Sequence, residues 1–105
     1  MERVGFTMRV LPGKETEYRR RHAAVWPEML AALKAAGCRD YSIFIRGADL
    51  FAYLEVDDFA AFRAFMAASP VNDRWQAEMA KYFEPVPDLQ PGERFAMMKE
   101  VFYME

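Results

Sequence analysis

The chain has 105 residues, 53% of them hydrophobic and 29% charged, with a formal net charge of −2. That composition describes a folded globular chain of one-domain size, spanning residues 1–105, and not a disordered one. The acidic balance argues against a sequence-independent grip on nucleic acid, and the single cysteine, Cys38, excludes an internal disulfide or a cysteine-rich metal site.

In chain order, "RVGFTMRVL" alternates, with Val4, Phe6, Met8 and Val10 on one side and Arg3, Thr7 and Arg9 on the other. This is the pattern of a strand with one buried face. No continuous apolar core of a leader peptide is present there, and no apolar run reaches the roughly 18 residues of a membrane span. With one cysteine, the expected compartment is the reducing cytoplasm. Pro12 and Gly13 punctuate, and residues 14–25 read as helix with Tyr18, His22, Val25 and Trp26 near one stripe. Pro27 requires a kink or a restart; "PEMLAALKAAG" is the second helical piece, capped at Gly37. "DYSIFI" and "LFAYLEV" are strands joined by a short hairpin turn, "RGAD". Asp57 or Asp58 can cap the next helix, which turns Phe59, Phe62, Phe65 and Met66 inward. Ser69 and Pro70 start another helix, running to about Phe83 and carrying Trp75, Met79 and Tyr82. The loop "EPVPDLQPGE" precedes a final strand, "RFAMMKEVFYM".

This order is the βαββαβ pattern of the α+β ferredoxin-like fold, with helices on one face of an antiparallel sheet. The other face ought to be polar in a monomer. Instead large apolar residues stand at consecutive positions: Leu50 and Phe51, Met97 and Met98, Val101 to Tyr103. Both strand faces then need cover, which predicts a homodimer packed sheet against sheet.

His22 is the one histidine, and the only side chain here that changes charge near neutrality without special surroundings. Tyr18 lies one helical turn before it and Trp26 one turn after. Two readings stand: a catalytic imidazole in a ring-lined pocket for a small hydroxylated ligand, or an ordinary helix histidine. Metal binding would need three or four ligands; Glu15, Glu17 and Glu28 lack a specific spacing, so none is expected. Arg19, Arg20 and Arg21 follow Glu15 and Glu17 at ion-pairing distance on a helix, which describes a solvated face; a phosphate clamp is the alternative. Trp75 and Tyr82 share a helix stripe, Tyr41 opens a strand, and Cys38 has no neighbour marking it as a nucleophile. Periodicity thus gives a fold and a candidate pocket, and no reaction.

"YRRRHAAVWPEMLAALKAAGCRDYSIF" resembles the central segment of the L-rhamnose mutarotases, typified by Tyr-x-x-x-His-x-x-x-Trp-Pro-Glu, and the likeness continues through "LFAYLEV", "ASPVNDRW" and "EVFY". The resemblance covers nearly the whole chain. It implies a cofactor-free enzyme that interconverts the α and β anomers of L-rhamnose, built as a dimeric α/β barrel. It implies that His22 is a proton donor and that Tyr18, Tyr41 and Trp75 bind sugar, together with the next residue. That residue is usually a second tryptophan and here is Gln76, which removes one ring. Trp26 is a possible pocket residue. On the same fold, a sugar-binding module without turnover and a cofactor-free monooxygenase are the alternatives, supported by fold analogy alone.

Overall fold

The computed structural model describes residues 1–87, 89–91, 93 and 95–105. Strand β1 (Glu2–Val10) alternates as its sequence requires, with Val4, Phe6, Met8 and Val10 buried. Helices α1 (Glu15–His22) and α2 (Pro27–Ala35) follow, then strands β2 (Cys38–Arg46) and β3 (Asp49–Val56). Helices α3 (Phe59–Ala67) and α4 (Pro70–Met79) come next, the latter continued by a 3-10 turn, Ala80–Tyr82. Two short strands, β4 (Phe83–Glu84) and β5 (Ala96–Met98), complete the set.

The strand order is β2-β3-β1-β4, with β5 also on β1, and every pairing is antiparallel. This is the ferredoxin-like arrangement predicted from the element order. β4 lies opposite Arg9 and Val10, and β5 opposite Gly5 to Thr7. The two therefore lie along one edge of β1 as pieces of a fourth strand, separated in sequence by residues 85–95. Phe95 stacks on Phe6 at 5.1 Å and meets Phe83 edge-on at 6.1 Å, pinning the end of that segment to the sheet.

The core lies between the sheet and the helices. Val4, Phe6 and Met8 stand opposite Leu54, Ala52 and Leu50 on the helix side, with Met29, Phe62, Met66, Trp75 and Met79 above them. Burying a side chain such as Leu50 or Leu54 contributes about 1.5–3 kcal/mol. Helix starts follow the sequence: the Asp58 carboxylate accepts a hydrogen bond from the Ala61 amide (3.1 Å) and the Ser69 hydroxyl one from Asn72 (3.3 Å), each cap contributing about 1 kcal/mol. Asp57, the other candidate cap, binds Arg39 instead (2.7 Å).

Several expectations are corrected. The helix read as 14–25 ends at His22, because Pro27 holds Trp26 extended (ψ 134°) and residues 23–26 become the turn between α1 and α2. The helix read to Phe83 ends at Met79 before the 3-10 turn. Phe65, read as inward, is 44% exposed, since α3 buries Phe62 and Met66 and a further stripe finds no partner. The final strand read as 94–104 is only Ala96–Met98; residues 99–105 carry no regular structure, and Arg94 lies outside the described residues, as do Asp88 and Gly92 of the predicted loop. The hairpin turn stands, with Gly47 at φ +61° between paired Arg46 and Asp49. Among the described residues no helix is long and apolar enough to cross a membrane.

Candidate functional site

His22 is the last residue of α1, and its placement follows from that helix's early stop. With no further turn to enter, the ring folds back and Nδ1 lies 3.1 Å from the Tyr18 carbonyl oxygen. A carbonyl only accepts, so Nδ1 carries the hydrogen and donates. The neutral ring therefore presents Nε2 as a lone-pair acceptor. Burial lowers the His22 pKa below its usual 6.5, and the Tyr18 carbonyl opposes that shift. Near neutral pH the imidazole is uncharged.

Tyr18, one turn back, is 3% exposed. Its ring lies 4.2 Å from that of His22, tilted by 31°, and 5.7 Å from Phe83. Burial raises the phenol's pKa well above the usual range, and Tyr41 raises it further electrostatically, so the hydroxyl stays protonated. Tyr41 feels the same crowding first, and Cys38 after it, although 37% of the residue remains exposed and solvent access limits the effect. Tyr18, Arg19, His22 and Ala23 of α1, Ile43 and Ile45 of β2, and Leu50 of β3 enclose a cleft of about 210 Å³. Aliphatic walls lower the polarity around the imidazole and phenol, which strengthens each polar contact made there.

A second cleft of about 260 Å³ lies on the opposite side of α1, lined by Glu17, Arg20, Arg21, Ala24, Trp26, Trp75 and Tyr82. Arg21 Nε donates to the Tyr82 hydroxyl (3.2 Å), and its guanidinium reaches Glu78 at 3.7 Å. Trp75 lines this second cleft and packs against His22. Its ring stands edge-on to His22 at 5.5 Å and edge-on to Trp26 at 5.0 Å.

Of the residues singled out from the sequence, the fold brings Tyr18, His22, Trp75 and Trp26 into one chain of ring contacts, with Tyr41 electrostatically coupled to Tyr18. Trp26 faces the second cleft and not the one that His22 lines. Gln76 is turned along its own helix, donating to the Asn72 side-chain oxygen at 3.2 Å. Missed were Arg19, Ile43 and Ile45. Arg19 stands three residues before His22, one turn along the helix, and the two isoleucines alternate with Tyr41, so both signals were present in the spacing. Among the described residues no three acidic, histidine or cysteine side chains gather as metal ligands.

Comparison with known proteins bears on this site as a whole. The family model described as L-rhamnose mutarotase matches residues 3–104. An L-rhamnose mutarotase of Listeria monocytogenes serotype 4b is 42% identical, with 99% of each chain covered. One from Burkholderia orbicola is 41% identical over the full length of both. The crystal structure of an L-rhamnose mutarotase from Formosa agariphila covers both chains completely, at 34% identity and a TM-score of 0.81. Tetracenomycin F2 cyclase from Streptomyces glaucescens shares the fold, with a TM-score of 0.68 at 21% identity, covering 100% of this chain and 97% of the other. On the full-length family match and these identities, the chain belongs to the L-rhamnose mutarotase family.

Proposed function

We propose that residues 1–105 form one mutarotase domain that interconverts the α and β anomers of L-rhamnose, with His22 as its proton-transferring residue. The observation that carries the reading is the His22 imidazole, fixed in one tautomer by Tyr18 and opening by Nε2 on an apolar cleft in a chain of this family. Mutarotation breaks the C1–O5 bond, turns the C1–C2 bond and recloses the ring on the other face. It moves one proton off the anomeric hydroxyl and one onto the ring oxygen, and calls for no redox group or cofactor. The resemblance casts His22 as the donor. A neutral imidazole with Nδ1 committed works through Nε2 alone, taking a proton in one half of the cycle and returning it in the other. A positioned group of this kind contributes about 10²- to 10⁴-fold. Tyr18 and Tyr41 hold the sugar by their hydroxyls, and Trp75 backs the imidazole. Gln76 replaces a ring with an amide at the sugar-binding position, which loosens the stacking surface and leaves a related 6-deoxyhexose such as L-fucose as a competitor. A binding module without turnover and a monooxygenase are not favoured by the family match. NMR magnetisation exchange between the anomeric protons tests this. Faster α–β exchange of L-rhamnose with the protein than without it is expected; exchange at the solvent rate for L-rhamnose contradicts the reading.

The same reading includes a homodimer in a reducing cytoplasm. The sheet face away from the helices carries Phe44 (61% exposed), Phe51 (39%) and Met98 (52%), and the terminal segment adds Val101 and Phe102. Gly5 lets Phe51 lie across β1, since a Cβ there would stand 3.3 Å from its ring. Arg3 holds the terminal segment against this face, donating twice to Glu100 (2.7 and 3.0 Å) and covering the Tyr103 ring at 3.5 Å. Such an apolar face is rare on a monomer, and a second copy supplies a matching one. In sedimentation, the parent is expected to run as a dimer and Phe44→Asp as a monomer; a monomeric parent contradicts the dimer.

A further inference from the structure

Exchange of L-rhamnose anomers moves protons within a neutral sugar and gives a guanidinium nothing to neutralise. Yet among the described residues Arg19 lines the His22 cleft as its one permanently charged side chain, and no carboxylate lines it. Its expected partner is withdrawn. Glu15 stands four residues earlier, in the favourable order for a helix ion pair, but its carboxylate accepts a hydrogen bond from the Gly13 amide at 3.1 Å. Glu17 faces Lys14 at 3.9 Å, and Arg21 holds Tyr82 and Glu78. The Arg19 side chain has no hydrogen-bond or ion-pair partner among the described residues. Across the cleft, Asp49, the acidic residue next to Leu50, is held by Arg9 at 3.3 Å. A solvated role would suffice for an exposed arginine elsewhere; this one stands on the cleft wall one turn before His22.

We propose that Arg19 extends the mutarotase to hexuronates, pyranoses whose C6 is a carboxylate, by holding that carboxylate while His22 serves the ring oxygen. This rests on the mutarotase reading and adds a substrate class to it. O5 of a pyranose is bonded to both C1 and C5, so the C6 carboxylate lies two bonds from the ring oxygen. Residues three apart on a helix have Cβ atoms about 5–6 Å apart, a span that one pyranose edge and the long Arg19 side chain bridge together. The planar guanidinium matches a carboxylate by two parallel hydrogen bonds. Ile43, Ile45 and Leu50 take the C–H surface of the ring and lower the polarity around the ion pair, which strengthens it. A sugar phosphate fits less well. One guanidinium meets one negative charge, and the cleft of about 210 Å³ is smaller than the roughly 300–1,000 Å³ of common ligand pockets. The ring chemistry is that of L-rhamnose: the C1–O5 bond breaks, O1 loses a proton, O5 gains one, and closure reverses both transfers after rotation about C1–C2. The carboxylate keeps its charge throughout, and no co-reactant enters.

Three sugars of one ring configuration isolate the charge: C6 is a methyl group in L-rhamnose, a hydroxymethyl group in L-mannose and a carboxylate in L-mannuronate. Anomeric-proton magnetisation exchange is measured for each, over a range of sugar concentrations, with the parent, Arg19→Gln and Arg19→Lys. Arg19 is exposed, so neither substitution disturbs the core. Exchange of L-rhamnose by the parent tests the mutarotase reading by itself; its absence sinks that reading and the proposal together. The parent is expected to exchange L-mannuronate with a KM about tenfold below that for L-mannose. Arg19→Gln is expected to erase that preference, and Arg19→Lys to keep part of it, since lysine retains the charge and loses the fork. A parent that exchanges L-rhamnose but not L-mannuronate overturns the proposal and leaves mutarotation standing. A preference for L-mannuronate that survives Arg19→Gln overturns it too, because another group then holds the carboxylate.

Discussion

The two clefts on either side of α1 share that helix and differ in what their polar groups are doing. In the second cleft Arg21 is committed: its guanidinium binds Tyr82 and reaches Glu78, and Lys81 adds a contact to Glu78 at 3.1 Å. In the His22 cleft the walls are Ile43, Ile45 and Leu50, Nδ1 is spent on a carbonyl, and Nε2 and the Tyr18 hydroxyl are left open. The larger and more charged cleft has one of its cations, Arg21, already held by protein partners. The smaller one holds unpaired hydrogen-bonding capacity in apolar surroundings, and that is the condition under which proton transfer to a ligand is favoured.

Removing the Trp75 ring has the largest expected effect. Trp75 is 6% exposed and touches both His22 and Trp26, so Trp75→Ala is expected to cost about 3–5 kcal/mol of stability, measured by urea denaturation. A cost under 1 kcal/mol contradicts its role as a packed core residue. A smaller effect distinguishes His22 by pH. Its folded pKa lies below the unfolded 6.5, so the unfolded chain binds the proton first and stability falls as pH drops from about 6.5 through the lowered folded value. Above 6.5 this contribution is fully present. His22→Gln is expected to remove that slope in denaturation midpoints between pH 7 and 5; an unchanged slope assigns it to other groups. The smallest effect belongs to the second cleft. Arg21→Gln removes a half-exposed cation (side chain 49% exposed), and is expected to leave the denaturation midpoint nearly unchanged while anomer exchange is unchanged. A large loss of exchange there would join the two clefts into one site.

Much of this was readable in advance where the physics is local. The alternation of β1 and β3 named their buried residues, because a half-covered strand imposes period two. Tyr18 and His22 were placed on one face by their i, i+4 spacing. Pro27 announced a break, though the helix stops four residues before Trp26 because the residue preceding a proline is driven out of the helical region. The split fourth strand was not readable: Phe83 and Glu84 are too short to show alternation, and their continuation at Ala96 depends on β1 as a shared template. The irregular register between Cys38 and Tyr41 was not readable either, although from Tyr41 onward the strand alternates regularly with Ile43 and Ile45. The contact of Trp75 with His22 joins α4 to α1 and leaves no trace in spacing; only resemblance pointed to it. The open hydroxyl of Tyr18 could not be foreseen either, since a buried tyrosine normally finds a partner and only the folded surroundings show that this one does not.

The central claim is that His22 carries the proton transfer. It is tested most directly by anomeric-proton magnetisation exchange of L-rhamnose with the parent and with His22→Ala, each shown to be folded by circular dichroism. The account predicts that the parent accelerates exchange and that the folded alanine variant loses about 10²- to 10⁴-fold of that acceleration. An alanine variant that equilibrates the anomers as fast as the parent would contradict it.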